Sequence, residues 1–147
     1  MASSEVSRKG KVAKSASRKL AVVPTDVKNY ALERMVAALK RNAKVILAAN
    51  SVDLEGGMKK NLSRALLDRL TLDGQRIEGM ITGLKVVQSL PDPIGEVLAE
   101  WKRPNGLKIK KVRVPLGVIG IIYEARPNVT VDSAALCLKA GNAVILR

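Results

Sequence analysis

At 147 residues, with 47% hydrophobic and 27% charged residues, the chain can bury one ordinary core and falls in the globular class, not the disordered one. No apolar run approaches the roughly 20 residues that span a bilayer, one cysteine excludes an internal disulfide, and the lack of histidine excludes a zinc constellation and any Cys–His or Ser–His couple. The net charge of +13 comes largely from six Lys and Arg between Arg8 and Lys19 and six more between Lys102 and Arg113, with no acid in either block. These read as two solvated faces. A nucleic-acid surface would gather the charge on one continuous face, and with 2% aromatic residues and no Phe there are no stacking platforms for single strands. No nucleic acid, membrane or metal partner is therefore expected. Glu5 and a helix continuing past the basic N-terminus argue against a transit peptide, so a cytoplasmic location is expected.

Residues 6–22 carry Val6, Ala13, Ala16 and Leu20 among basic residues, a helical stripe with a charged outer face. Pro24-Thr25-Asp26 reads as a break and N-cap. From Asp26 the positions Tyr30, Leu32, Met35, Val36, Leu39, Ala43, Ile46 and Leu47 follow helical spacing to about Ala49. Gly56-Gly57 marks a loop over Ser51–Lys60. Helices are predicted again over Asn61–Leu70 and Gln75–Leu90, with Thr71 or Asp73 as cap, and Pro91-Asp92-Pro93 ends the helical half. Pro104-Asn105-Gly106 is a turn, and Leu107–Val114 alternates like a strand. Its phase slips at Lys110-Lys111, which predicts a bulge or a crossing between sheets.

The last third is the most informative. Gly117–Ile122 is a near-continuous apolar run, as in a parallel strand covered on both faces. Pro127 stops it and restricts Arg126 to extended geometry. Asn128 or Thr130 can cap the next helix, with Asp132 in its first turn, and Gly141 closes that helix. Ala143–Leu146 is a second buried strand. The whole is a βαβ unit whose strand tips, Tyr123-Glu124-Ala125-Arg126 and Arg147, point the same way, the edge at which open α/β sheets bind ligands. No GxGxxG fingerprint is present. Cys137, between Leu136 and Leu138, reads as a buried structural thiol.

The run RVPLGVIGIIYEARPNVTVDSAALCLKAGNAVILR, together with AKSASRKLA, AANSVDL, LLDRLTLDGQRIEGM and LPDPIGEV upstream, strongly resembles the gamma-glutamyl phosphate reductase (glutamate-5-semialdehyde dehydrogenase) family of the aldehyde dehydrogenase superfamily. The resemblance covers the chain from about Val6. It implies an oxidoreductase of proline biosynthesis that uses NADPH to reduce L-glutamyl 5-phosphate to L-glutamate 5-semialdehyde and phosphate. The semialdehyde then cyclises to pyrroline-5-carboxylate. It also implies glutamate 5-kinase as pathway neighbour and a homo-oligomer at full length.

The fold so implied is α/β: N-terminal helices, then the first βαβ part of an aldehyde-dehydrogenase-type, Rossmann-like cofactor domain. Residues 1–93 are expected to be the helical part of that domain. Residues 94–114 would be a turn and extended strand or strands for oligomerisation or linking of sheets, and residues 115–147 the first βαβ of the NADP-binding domain. Family members are longer, and their nucleophilic Cys lies downstream of anything present here, Cys137 matching a helix position instead. The chain is thus expected to be an N-terminal fragment without the catalytic domain, inactive alone. The alternative is a catalytically inert basic binding or regulatory protein from a truncated gene.

In the wider superfamily a Pro-Trp-Asn loop follows the first cofactor strand, its Asn amide stabilising the oxyanion. Here Glu-Ala-Arg-Pro-Asn stands in its place, so Asn128 is the favoured counterpart and Arg126 the other candidate. Arg126 could instead bind a substrate phosphate or carboxylate, and Asn128 could be only a helix cap. The resemblance places cofactor contacts at Tyr123, Glu124, Ala125 and Arg147. Arg147 matches the superfamily Lys at the adenosine ribose, and a guanidinium there suits a 2′-phosphate.

Overall fold

A computed structural model describes residues 2–147. Among them the order is α1 (Ala2–Leu20), α2 (Thr25–Lys59), α3 (Arg64–Leu70), α4 (Gly74–Ser89), β1 (Val97–Lys102), β2 (Lys108–Val112), β3 (Val118–Ile121), α5 (Pro127–Lys139) and β4 (Ala143–Leu146). The α/β class expected from the sequence holds, with helices first and a parallel βαβ unit last.

The apolar stripe of α2 builds the helical layer. Leu32, Met35, Val36 and Leu39 pack with Leu84 and Val87 of α4 and with Val131, Ala135 and Leu138 of α5. One turn onward, Ala43, Ile46 and Leu47 meet Ile77, Met80 and Ile81 of α4. Tyr30, assigned to this stripe from the sequence, is exposed. Two residues before Leu32, it lies about 200° around the helix at about 100° per residue.

The predicted Ser51–Lys60 loop is instead the last part of α2, which runs unbroken to Lys59. Two glycines in a helix cost about 1 kcal/mol each relative to Ala, and tertiary contacts offset that here. A Cβ on Gly57 would lie 3.0 Å from Leu67 Cδ2 and 3.1 Å from Leu62 Cδ1, so the bare backbone is what lets this segment seat against α2. The buried Asn50 side chain adds a bridge, donating to the Leu70 carbonyl (2.8 Å) and accepting from the Leu72 N–H (2.7 Å). α2 closes in a Schellman motif: Leu62 N–H donates to Gly57 O (3.1 Å), Asn61 N–H to Met58 O (2.9 Å), and Asn61 takes φ 54°.

The caps differ in part from those read in the sequence. Asp73 caps α4, accepting from the Arg76 N–H at 2.7 Å, whereas Thr71 ends α3 and donates to the Leu67 carbonyl. The residue capping α2 is Pro24, whose ring offers no acceptor, and Thr25, already the first residue of the helix, donates its hydroxyl to Asp92 Oδ2 (2.7 Å).

β1 and β2 form an antiparallel hairpin separate from the β3–β4 sheet, so no strand crosses between sheets. The predicted bulge is present at Lys111-Val112, but its extra residue, Leu98, is in the partner strand: Val97 faces Val112 while Ala99 faces Lys111. β3 and β4 pair in parallel, Val118 opposite Ala143 through Ile121 opposite Leu146. Gly141, at φ 67°, closes α5 as expected, with Asn142 N–H on Cys137 O and Gly141 N–H on Leu138 O. The buried Asn142 Oδ1 then accepts from the Gly117 N–H (2.8 Å), tying the start of β4 to the start of β3.

Candidate functional site

The elbow between β3 and α5 carries most of the residues singled out in the sequence. Pro127 at the first helical position forces the turn, and Arg126 before it takes φ −141°, ψ 82°, clear of the helical region. Ala125 sits at φ 46°, in the left-handed region that a residue with a Cβ seldom occupies. Such strain of order 1–3 kcal/mol persists only where the surroundings over-determine it. Here the flanks are held. Tyr123 N–H donates to the Arg147 carbonyl (2.9 Å), Arg147 N–H donates to Ile121 O (3.0 Å), and the Tyr123 hydroxyl meets Thr130 Oγ1 at 2.5 Å.

Asn128 and Thr130, the two residues read as helix caps, do not cap. Arg126, which makes no side-chain bond, is the N-cap residue, because Pro127 starts the helix two residues earlier than a cap at Asn128 required and four earlier than one at Thr130. Asn128 therefore stands inside the first turn, exposed, with one long hydrogen bond from Nδ2 to Asp132 Oδ2 (3.4 Å). Asp132 lies beyond the first turn and not within it.

Arg126 and Asn128 form one wall of a cleft of about 420 Å³. The opposite wall is Arg69 of α3, Thr71 and Leu72 of the connection, and Arg76 and Met80 of α4, with Asp68 and Asp132 also on the lining. Arg76 braces that wall, donating to Thr71 O (2.7 Å), to Asp68 Oδ1 (2.9 Å) and to the Asp68 carbonyl. Arg69 and Arg126 have no acidic partner among the described residues. Three guanidinium groups against two carboxylates, with an amide beside them, make this cleft receptive to a small anion that also carries hydrogen-bonding oxygens. The arginines across the cleft were missed from the sequence. They lie within LLDRLTLDGQRIEGM, a segment noted for its resemblance but given no role.

Arg147 stands apart. It lines a second cleft, about 440 Å³, with Glu5, Val6, Lys9, Gly120 and Ile122. Glu5 is held below the usual carboxylate range by its hydrogen bond to Lys9, at 2.9 Å, with Arg147 adding to the attraction. Glu124 is exposed, and Tyr123, Glu124 and Ala125 line neither cleft. The structure thus brings Arg126 and Asn128 together and leaves Arg147 across the β3 tip from them. Cys137 is buried, and burial pushes its thiol up, away from the thiolate form. Among the described residues no group of acids or cysteine could hold a metal, and no helix is long and apolar enough to cross a membrane.

No protein-family model matches the sequence. The gamma-glutamyl phosphate reductase of Heliobacterium modesticaldum is 63% identical over 144 residues, and that of Clostridium tetani 63% over 139 residues. These matches cover 98% and 95% of this chain. The chain belongs to the gamma-glutamyl phosphate reductase family. It spans 34% and 32% of the length of those two relatives. The crystal structure of the gamma-glutamyl phosphate reductase of Thermotoga maritima superposes with a TM-score of 0.93 at 44% identity, over 95% of this chain and 34% of that one. The Saccharomyces cerevisiae enzyme gives 0.89 at 36% identity, over 93% and 35%. As a gamma-glutamyl phosphate reductase family member, the chain aligns with the N-terminal part of those structures.

Proposed function

We propose that this chain is the N-terminal part of an NADPH-dependent enzyme that reduces L-glutamyl 5-phosphate to L-glutamate 5-semialdehyde, releasing phosphate. The observation that carries the reading is the 63% identity, over nearly the whole chain, to relatives named for the reduction of gamma-glutamyl phosphate. The cleft supports it: a guanidinium-rich pocket with an exposed amide suits an acyl phosphate that also bears a carboxylate.

In this reading a cysteine thiolate from elsewhere in the whole enzyme attacks the acyl carbon. The carbon–oxygen bond to phosphate breaks and leaves a thioester. NADPH, when bound, would supply the hydride for the reduction of that thioester to the aldehyde. Asn128 donates its amide N–H to the oxyanion, being exposed and unused as a cap, and Arg126 holds the phosphate or the carboxylate. Arg147, exposed at the β4 tip, receives the cofactor 2′-phosphate, and Tyr123, Glu124 and Ala125, which follow β3 outside that cleft, are kept as cofactor contacts on the family resemblance alone. The residue set fits the cofactor, since a cation at a parallel strand's C-terminal end stands where the 2′-phosphate on the adenosine ribose belongs. The buried Cys137 takes no part. The β1–β2 hairpin serves oligomerisation, the setting is cytoplasmic, and a glutamate 5-kinase supplies the substrate.

Phosphate-dependent reduction of NADP with glutamate 5-semialdehyde tests the assignment in the whole enzyme. Asn128→Ala is expected to lower turnover about 100–1,000-fold, the typical cost of one oxyanion donor, with little change in melting temperature. Earlier melting with normal turnover would transfer the role to Arg126. Arg147→Ala should raise the KM for NADPH more than that for NADH, and equal effects would remove Arg147 from 2′-phosphate recognition. The 147-residue chain alone should show no turnover, and activity abolished by Cys137→Ala would overturn the scheme.

A further inference from the structure

The interior holds a group of charges that the cleft does not use. Lys28 of α2 and Lys139 of α5 are 1% and 3% exposed, and one carboxylate, Asp92, serves both. Lys28 pairs with Asp92 directly. Lys139 does not. Its ammonium donates to Asn29 Oδ1 (2.6 Å) and to the Gln88 carbonyl (2.9 Å), and the Gln88 side chain in turn donates to the Asn29 carbonyl (3.3 Å). Two cations against one carboxylate leave net positive charge out of water. Burial draws the Lys139 ammonium below its usual pKa, the attraction of Asp92 opposing and the repulsion of Lys28 adding.

A surplus buried charge is a poor source of stability, since desolvation rivals the attraction gained. It does offer direction. The rest of the seat of α5 is apolar: Val131, Ala135 and Leu138 against Leu84 and Val87, surfaces that repack at small cost when displaced. Two short bonds from one ammonium have a single satisfactory geometry. Lys139 is the last residue of α5, about 18 Å along the axis from Pro127 at about 1.5 Å per residue. Between them α5 passes close to α4, where a Cβ on Gly83 would lie 3.6 Å from Asp132 Oδ1. Displacement of α5 along α4 therefore moves Arg126, Asn128 and Asp132 relative to Arg69 and Arg76.

We propose that Lys139 is a positioning residue: its bonds to Asn29 and Gln88 set where α5 sits along α4, and thereby the width of the cleft between Arg126–Asn128 and Arg69–Arg76. The kinetic consequence, though not the placement itself, rests on that cleft being the substrate site.

Amide hydrogen exchange on the 147-residue chain and steady-state kinetics on the whole enzyme separate the two. Lys139→Met keeps the stem and removes the donors. Asn29→Ala removes one acceptor and keeps the test alive should the first variant not fold. In either, amides of Val129–Asp132 and Gly79–Gly83 are expected to exchange about 10-fold faster, with the amides of the β1–β2 ladder unchanged. In the whole enzyme the KM for glutamate 5-semialdehyde should rise about 10-fold with that for NADP unmoved, and the double variant should be no worse than Lys139→Met. Uniform acceleration across all elements or unchanged exchange at the cleft overturns the proposal, whereas local exchange as expected with an unmoved semialdehyde KM upholds the placement and removes the cleft as the substrate site. Local exchange as expected, in an enzyme whose unsubstituted form does not turn over the semialdehyde, upholds the placement and sinks the substrate.

Discussion

The β1–β2 hairpin and the β3–α5–β4 unit are both built from short strands, but five of the eleven hairpin strand residues are charged and none of those in β3 and β4 is, and the two are held by different forces. Every residue of β1 and all but one of β2 is exposed, while β4 and β3 lie against α1, and β4 also against α5. The hairpin is organised by its own ladder and its turn. Gly106 takes φ 87°, Leu107 N–H donates to Asn105 Oδ1 (3.1 Å), and Glu100–Lys110 and Glu96–Arg113 pair across the strands at 3.3 and 3.2 Å. Such exposed pairs contribute little. The βαβ unit instead depends on burial and on side chains from distant parts of the chain. Charged, exposed strands thus form an element organised by its own ladder, and apolar strands one that exists only in company.

Pro91-Asp92-Pro93, between α4 and the hairpin, is where the largest effect is expected. Asp92→Asn strands the buried Lys28, and removing one partner of a buried ion pair costs about 3–5 kcal/mol, measurable by urea unfolding. The same carboxylate gives the fold an acid dependence. Burial alone would raise its pKa, but hydrogen bonds from Lys28, the Ile94 N–H and Thr25 together hold it below the ordinary value. The unfolded chain therefore binds the proton more readily. Stability is present in full above the ordinary carboxylate pKa and is lost as pH falls through the lower folded value. Melting between pH 5 and pH 2 should accordingly fall more steeply for the unsubstituted chain than for Asp92→Asn.

Leu84→Ala, at 1% exposure where α2, α4 and α5 meet, should cost about 2–5 kcal/mol. Gly141→Ala should cost about 1–3 kcal/mol, since φ is 67° and the new Cβ would stand 3.0 Å from Pro115 Cγ. Trp101→Ser in the hairpin should change stability by no more than about 0.5 kcal/mol, its side chain being exposed. A hairpin substitution as costly as Leu84→Ala would erase the distinction between the two regions.

Much of this was legible in the sequence because its signals are local. The Asp73 cap, the closure at Gly141, the stop at Pro91-Asp92-Pro93 and the apolar runs of β3 and β4 each act within a few residues. What escaped acts at a distance. Gly56-Gly57 reads as a loop until Leu62 and Leu67 are seen to need the missing Cβ. The association of Lys28, Asp92 and Lys139 has no expression in any short window. At the site the elbow could be found from Pro127 and the strand before it. Its facing wall could not, since nothing in the spacing of Arg69 and Arg76 connects them to residues some fifty positions later.

A two-stranded parallel sheet has a feature with consequences for handling. β3 and β4 are each bonded on one side only, and beside them Leu116 and Ile122 are 85% and 87% exposed. Unpaired strand edges next to apolar side chains are templates for another chain. The charge of +13 keeps copies apart at low ionic strength, over a screening length that shrinks from about 30 Å at 0.01 M salt to about 8 Å at 0.15 M. Light scattering of the chain is therefore expected to stay low in dilute buffer and to rise on warming once salt screens the repulsion, through association at β3 and β4.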